Sequence, residues 1–196
     1  MRALLQQGRL DAAEQMCSKL ARAGVSAALA PAMLMLAQAC HAAGRKPAAA
    51  GWLRRMANAA PNPHDLEAAR LALLLERPQV ASLLFEKADK HRALETQDQL
   101  RMAQATLRTA ELLRLPHGRH GAWSQHEEQL QKAAQLFETL TGIEGLAVGD
   151  QVEVWTGLAR TLRLQRADPV RIELALARAA ALLAGLPAVS VVTHVG

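Results

Sequence analysis

PAMLMLAQACHAAGRKPAAAGWLRRMANAAPNPHDLEAARLALLLERP, residues 31–78, sets prolines at Pro31, Pro47, Pro63 and Pro78, at steps of sixteen, sixteen and fifteen residues. Each proline opens a stretch of Ala, Leu and Arg that reads as helix. Proline suits the first helical turn, where its missing N–H would have no intrahelical partner anyway. The step of the ladder is therefore one helix plus one tight turn. Two steps make a helical hairpin, close to the roughly 34-residue unit of helical repeat proteins. The spacing predicts an all-α chain of about ten helices, paired as antiparallel hairpins.

The same pattern extends outward. Residues 2–7 read as the end of a helix, Gly8-Arg9-Leu10-Asp11 as a turn with Asp11 as N-cap, and Gly24 as the stop of the helix that follows. Gly44 turns the second hairpin, Asn62 caps the helix after Pro61-Asn62-Pro63, and Arg77-Pro78 turns the third. A long helix over about 96–114 leads into Leu115-Pro116-His117-Gly118-Arg119-His120-Gly121, where Ser124-Gln125-His126-Glu127 reads as a capping box starting the next helix. The fifth hairpin begins near Asp150 and turns at Asp168-Pro169. Residues 1–187 are thus expected to form one helical-repeat domain. The β-branched residues 188–196 are expected to be a tail or the opening strand of an absent domain.

Composition agrees with close-packed helices. The 196 residues are 51% hydrophobic and only 3% aromatic, with no Tyr. No apolar run reaches the roughly 18 residues of a membrane span, and MRALLQQGRL lacks a signal-peptide core, so with Met1 as the start a cytoplasmic location is expected. The net charge of +5 is uneven: residues 1–60 hold eight bases (Arg2, Arg9, Lys19, Arg22, Arg45, Lys46, Arg54, Arg55) and two acids (Asp11, Glu14). That segment could attract an acidic partner or simply aid solubility. Cys17 and Cys40, the only cysteines, sit at small core-type positions and read as free buried thiols.

Aligning second helices on a small residue gives columns. Ala13, Ala49, Ala81 and Ala133 are followed four residues on by Cys17, Leu53, Phe85 and Phe137, and then by Leu20, Met56, Ala88 and Leu140. Ala175, Ala179 and Leu182 continue the columns. Trp155-Thr156-Gly157-Leu158-Ala159, with Leu162, supplies a matching first helix. This pattern resembles the tetratricopeptide repeat, in which small residues let paired helices approach and bulkier ones fill the gap to the next hairpin. The resemblance implies a right-handed α-solenoid of about five hairpins. A general α-helical solenoid is the alternative.

The resemblance also implies a concave groove lined by first helices. Its positions here are Leu34, Gln38 and His41, then Leu66, Arg70 and Leu73, then Leu100 and Gln104, and finally Arg160 and Arg163. Leucines stand where a carboxylate clamp would need polar groups, so the groove is expected to take a protein or peptide segment that is apolar with an acidic end. The leading expectation is a scaffold or adaptor that is not an enzyme and carries no cofactor. The alternative is the substrate-recruiting N-terminal region of a larger transferase, organised like bacterial sulfotransferases or glycosyltransferases with tetratricopeptide extensions. A third possibility is an acidic or nucleic-acid partner on the basic N-terminal hairpins. Trp52 is the only aromatic there, which makes nucleic acid the weaker of the two.

No P-loop, Gly-x-Ser-x-Gly or dinucleotide fingerprint is present. His117, His120 and His126 lack a fourth ligand of cysteine type and read as a solvated polar loop rather than a metal site. Trp155 falls at a core position of the repeat pattern. Trp52 and Trp123 could each be packed or exposed, and packing is the expectation for both.

Overall fold

A computed structural model describes residues 1–22, 29–113 and 120–185, with only the backbone for 120–122. Among these residues all regular structure is α-helical. The helices are α1 (Arg2–Gln6), α2 (Leu10–Arg22), α3 (Ala30–Ala42), α4 (Lys46–Ala57), α5 (Asp65–Leu74), α6 (Pro78–His91), α7 (Thr96–Leu113), α8 (His120–Thr141), α9 (Val148–Leu164) and α10 (Pro169–Leu183). The chain divides into two compact units, Met1–Glu95 and Thr96–Gly196.

Within the first unit α3 packs along α4 and α5 along α6; within the second α7 packs along α8 and α9 along α10. Short turns join α3 to α4, α5 to α6 and α9 to α10, so those partners run antiparallel. Successive pairs also touch: α4 meets α5 and α6, and α8 and α7 both meet α9. No helix among the described residues is long and apolar enough to cross a membrane.

The proline ladder marks helix starts as expected at three of its four rungs. Pro31 and Pro47 lie in the first turns of α3 and α4, and Pro78 opens α6. Pro63 instead precedes its helix, which begins at Asp65. The reason is local. Asn62 Oδ1 accepts the His64 N–H at 3.0 Å, and the Asp65 carboxylate accepts the Asn62 N–H at 2.8 Å and its side-chain amide at 2.7 Å. This closed loop of hydrogen bonds holds residues 62–65 as a turn. Asp65 is fully buried, and Lys87 Nζ approaches it at 3.5 Å while donating to the Met56 carbonyl at 2.6 Å. One ammonium thus ties the last carbonyls of α4, the first turn of α5 and the body of α6 together.

Asn62 does not cap α5, whose N-cap is His64, and two other expected caps are also elsewhere. Asp11 lies inside the first turn of α2, where its carboxylate takes the Arg45 guanidinium at 2.8 Å. Ser124 lies inside α8, because that helix begins at His120. Asp168 does cap α10, accepting the Val170 N–H at 3.0 Å.

Four turns share one geometry. Gly8, Gly44, Glu76 and Arg166 all have positive φ, at 70°, 73°, 57° and 56°. Each donates its N–H to the carbonyl three residues back, and the next residue donates to the carbonyl five residues back. The pairs are Gly8 to Leu5 with Arg9 to Leu4, and Gly44 to His41 with Arg45 to Cys40. At the other two turns they are Glu76 to Leu73 with Arg77 to Ala72, and Arg166 to Arg163 with Ala167 to Leu162. This is the Schellman arrangement that satisfies the last carbonyls of a helix and reverses the chain.

The columns of small residues lie where helices meet. Ala13, Ala49, Ala81, Ala133 and Ala175 are all buried, as are Cys17, Leu53, Phe85 and Phe137. Leu20 departs from the pattern and is 40% exposed. In the second unit the core gathers Leu100, Leu107, Leu130, Phe137, Val154 and Leu158, with Trp155 partly buried against it. Gly157 faces the Phe137 ring so closely that a Cβ there would overlap it. The glycine of the Trp155–Ala159 segment is therefore a requirement of close helix approach.

Two outcomes follow. Gly157→Ala gains about 1 kcal/mol of intrinsic helix propensity but overpacks against Phe137, at a typical cost of about 1–3 kcal/mol. The net loss in a thermal melt should shrink when Phe137→Leu is added, and a loss that adds independently in the double variant would show that the ring is not the obstacle. Glu76→Gly should raise stability by about 0.5–1 kcal/mol, because it removes the left-handed strain of a residue with a Cβ. A lowered melting temperature would contradict this account of the turn.

Candidate partner-binding site

In the first unit the expected groove residues divide by depth. Leu34 and Leu66 are buried among neighbouring helices. Gln38 is exposed and donates to Glu67 Oε1 at 2.6 Å, linking α3 to α5. His41 and Leu73 are half-buried and Arg70 is exposed. The surface offered by these first helices is therefore polar at Gln38, Glu67 and Arg70, with Leu34 and Leu66 turned inward.

The second unit repeats the arrangement. Leu100 is 2% exposed, and Gln104 donates to Glu153 Oε2 at 2.6 Å, linking α7 to α9. Gln38–Glu67 and Gln104–Glu153 are each a Gln–Glu contact between first helices of successive hairpins. Two turns further along, Arg160 pairs with Glu111 at 2.5 Å. Arg160 is thus already engaged, whereas Arg163 is exposed and reaches a different feature.

That feature is a cleft of about 980 Å³ where the N-terminal half of α8 meets the C-terminal end of α9. Its lining includes Trp123, His126, Glu127, Glu128, Arg163 and Arg166. Trp123 is 70% exposed. Its ring meets His126 edge-on, with centroids 6.2 Å apart and planes at 88°. His126 is itself buried and its Nδ1 lies 2.7 Å from the Ala110 carbonyl of α7, which fixes the imidazole and so the surface against which Trp123 stands. Arg166 enters the cleft from the strained turn after α9, at the turn position that glycine fills in the first two hairpins.

Of the expected site residues, only Arg163 lines this cleft. Trp123, expected to be packed, is exposed instead, and His126, Glu127 and Arg166 are not among the expected groove positions. An aromatic beside a loop that departs from the repeat was the one available signal. Of the loop histidines, His117 lies outside the described residues and the side chain of His120 is not described; His126 is held inward by Ala110. No group of three His, Cys, Asp or Glu suited to a metal ion occurs among the described residues.

Chemistry at the thiols is suppressed by their surroundings. Cys40 is fully buried and donates its S–H to Glu14 Oε1 at 3.1 Å; Trp52 Nε1 donates to the same oxygen at 3.5 Å. Arg45 holds the other oxygen at 3.1 Å and Asp11 at 2.8 Å. Burial, then the hydrogen bond to Glu14 and its charge, push the Cys40 thiol from 9.0 to about 12 against the opposing pull of Arg45. Burial also raises Cys17. Trp52 is therefore packed, as expected, and Arg55 lies over its ring at 4.4 Å from the centroid.

Thiol alkylation at pH 8 should label neither cysteine in the folded protein and both in denaturant; rapid labelling of Cys40 while folded would overturn the buried assignment. Stability should also fall as pH rises from 9 toward 12, since the unfolded thiol then loses a proton that Cys40 keeps. Comparison with family models, with curated proteins and with solved structures finds no match for this chain.

Proposed function

We propose that the chain is a tetratricopeptide-like module, a right-handed α-solenoid of helical hairpins, that serves as a scaffold or adaptor by holding a segment of another protein. The segment carries an apolar anchor and an acidic end. The observation that supports this most is Trp123, a large aromatic left 70% exposed on the rim of a cleft and steadied by a buried histidine. Exposed, pre-positioned aromatics beside arginines have the composition of binding hot spots. Arg163 and Arg166 on the α9 side suit the acidic end. Glu127 and Glu128 on the α8 side disfavour a segment that is acidic throughout, and so confine the acidic group to the arginines.

The Arg166 turn adds weight. As at Glu76, a residue with a Cβ at φ 56° costs about 0.5–1 kcal/mol net relative to glycine. Strain of this kind is retained where the side chain has a use. In this reading Arg166 reaches a carboxylate of the partner that glycine could not.

The test is titration with a synthetic apolar peptide ending in two carboxylates. Trp123→Ala should weaken binding by about 2 kcal/mol with an unchanged melting temperature. Arg166→Gly should raise the melting temperature while weakening binding. Unaltered affinity in both variants would remove the cleft as the site.

A further inference from the structure

The first unit carries a second surface, independent of the cleft and of the reading placed on it. Contacts between α2 and α4 set their relative direction: Asp11 and Glu14 meet Arg45, Glu14 meets Trp52, and Ser18 accepts from Arg55 Nη1 at 3.4 Å. Both series ascend together, so α2 and α4 lie side by side and parallel, with their C-terminal turns at the same end. Arg22 stands one turn beyond Ser18 on the same side of α2, and Lys19 stands next to Ser18 on the outward side. Arg54 and Arg55 occupy the last turn of α4. Lys19, Arg22, Arg54 and Arg55 are all exposed.

Among the described residues none of these four cations is held in an ion pair. The only acids in residues 1–60 are Asp11 and Glu14, and both are held by Arg45. Among the described residues no ion pair reaches Lys19, Arg22 or Arg54. Arg55 is fixed, its guanidinium laid over Trp52 at 4.4 Å and steadied by Ser18. In the second unit, by contrast, Arg160 is matched by Glu111 and Arg171 by Glu138, while Arg163 and Arg166 line the cleft. Interior helix dipoles account for one cation per C-terminal turn at low strength, and that leaves the clustering unexplained.

We infer that this α2–α4 face is a docking surface for an acidic helix of another protein. The side-chain contacts of Arg45, Trp52 and Arg55 with α2 bring the last turns of α2 and α4 to one end, so their cations share one shallow basic face. Carboxylates spaced three and four residues apart along one helix face match such a face. The only aromatic nearby, Trp52, is 5% exposed and covered by Arg55, so no face is left on which a nucleic-acid base would stack. That favours carboxylates over single-stranded nucleic acid.

The experiment uses the full chain and two probes: a synthetic helical peptide with glutamates at every third and fourth position, and a duplex DNA of similar charge. The peptide should bind with an affinity that falls steeply with added salt. Lys19→Gln, Arg22→Gln and Arg54→Gln together should weaken it at least about tenfold, through slower association. All three side chains are exposed, so circular dichroism should be unchanged. Arg163→Gln with Arg166→Gln, in the other unit, should leave this affinity as it was, which separates failure here from failure of the cleft. Peptide binding that survives the triple change overturns the inference, and so does duplex binding that is the tighter of the two and is lost in the same variant.

Discussion

How closely two helices approach is set by the smallest residues between them, and the rest of this structure follows from that distance. Ala49, Ala81, Ala133 and Ala175 are buried where second helices meet their partners, and Gly157 lies directly against Phe137. A short interhelical distance brings the larger residues one turn on, Leu53, Phe85 and Phe137, into contact with more than one neighbour. Each hairpin then presents a flat apolar face that it cannot cover alone. The packing of α4 on α5 and α6, and of α8 on α9, is how that face is removed from water.

Polar contacts in this arrangement select geometry more than they supply energy. Gln38–Glu67 and Gln104–Glu153 are exposed, and an exposed hydrogen bond contributes only about 1 kcal/mol or less. Their value is positional: each ties the first helix of one hairpin to the first helix of the next. The buried contacts are a different matter. Asp65 is wholly buried, and without Lys87 and Asn62 it would face a large desolvation penalty. That node joins three helices, so it fixes the turn at 62–65 and displaces the start of α5 from the proline that the spacing indicated.

What was legible in the sequence acts over a few residues. Proline at a helix start, Asp168 as a cap and the columns of small residues each depend on local geometry, and the structure places them as read. What was not legible depends on partners far along the chain. Asp11 reads as a cap until Arg45, distant in sequence, takes its carboxylate. Ser124 reads as a helix start because its capping box is correct locally, yet α8 already begins at His120. Leu34, Leu66 and Leu100 occupy positions that the repeat pattern assigns to a groove, but their depth is decided by the helices beside them. Trp52 and Trp123 look alike in sequence; one is covered by Arg55 and Glu14, while the other stands clear beside His126.

The same logic locates where a partner would meet least resistance. A ligand at Gln38, Gln104 or Arg160 must first displace a side chain already matched to Glu67, Glu153 or Glu111. Exchanging one satisfied contact for another yields little net affinity. Trp123 has no such competitor among the described residues, and Arg166 lines the same cleft from a turn whose strain glycine would relieve. Lys19, Arg22 and Arg54 likewise stand without acids among the described residues, while every acid of their segment is engaged by Arg45. The surfaces with unsatisfied potential are therefore an end of a hairpin pair and the outer face of second helices, not the polar wall that the first helices build between themselves.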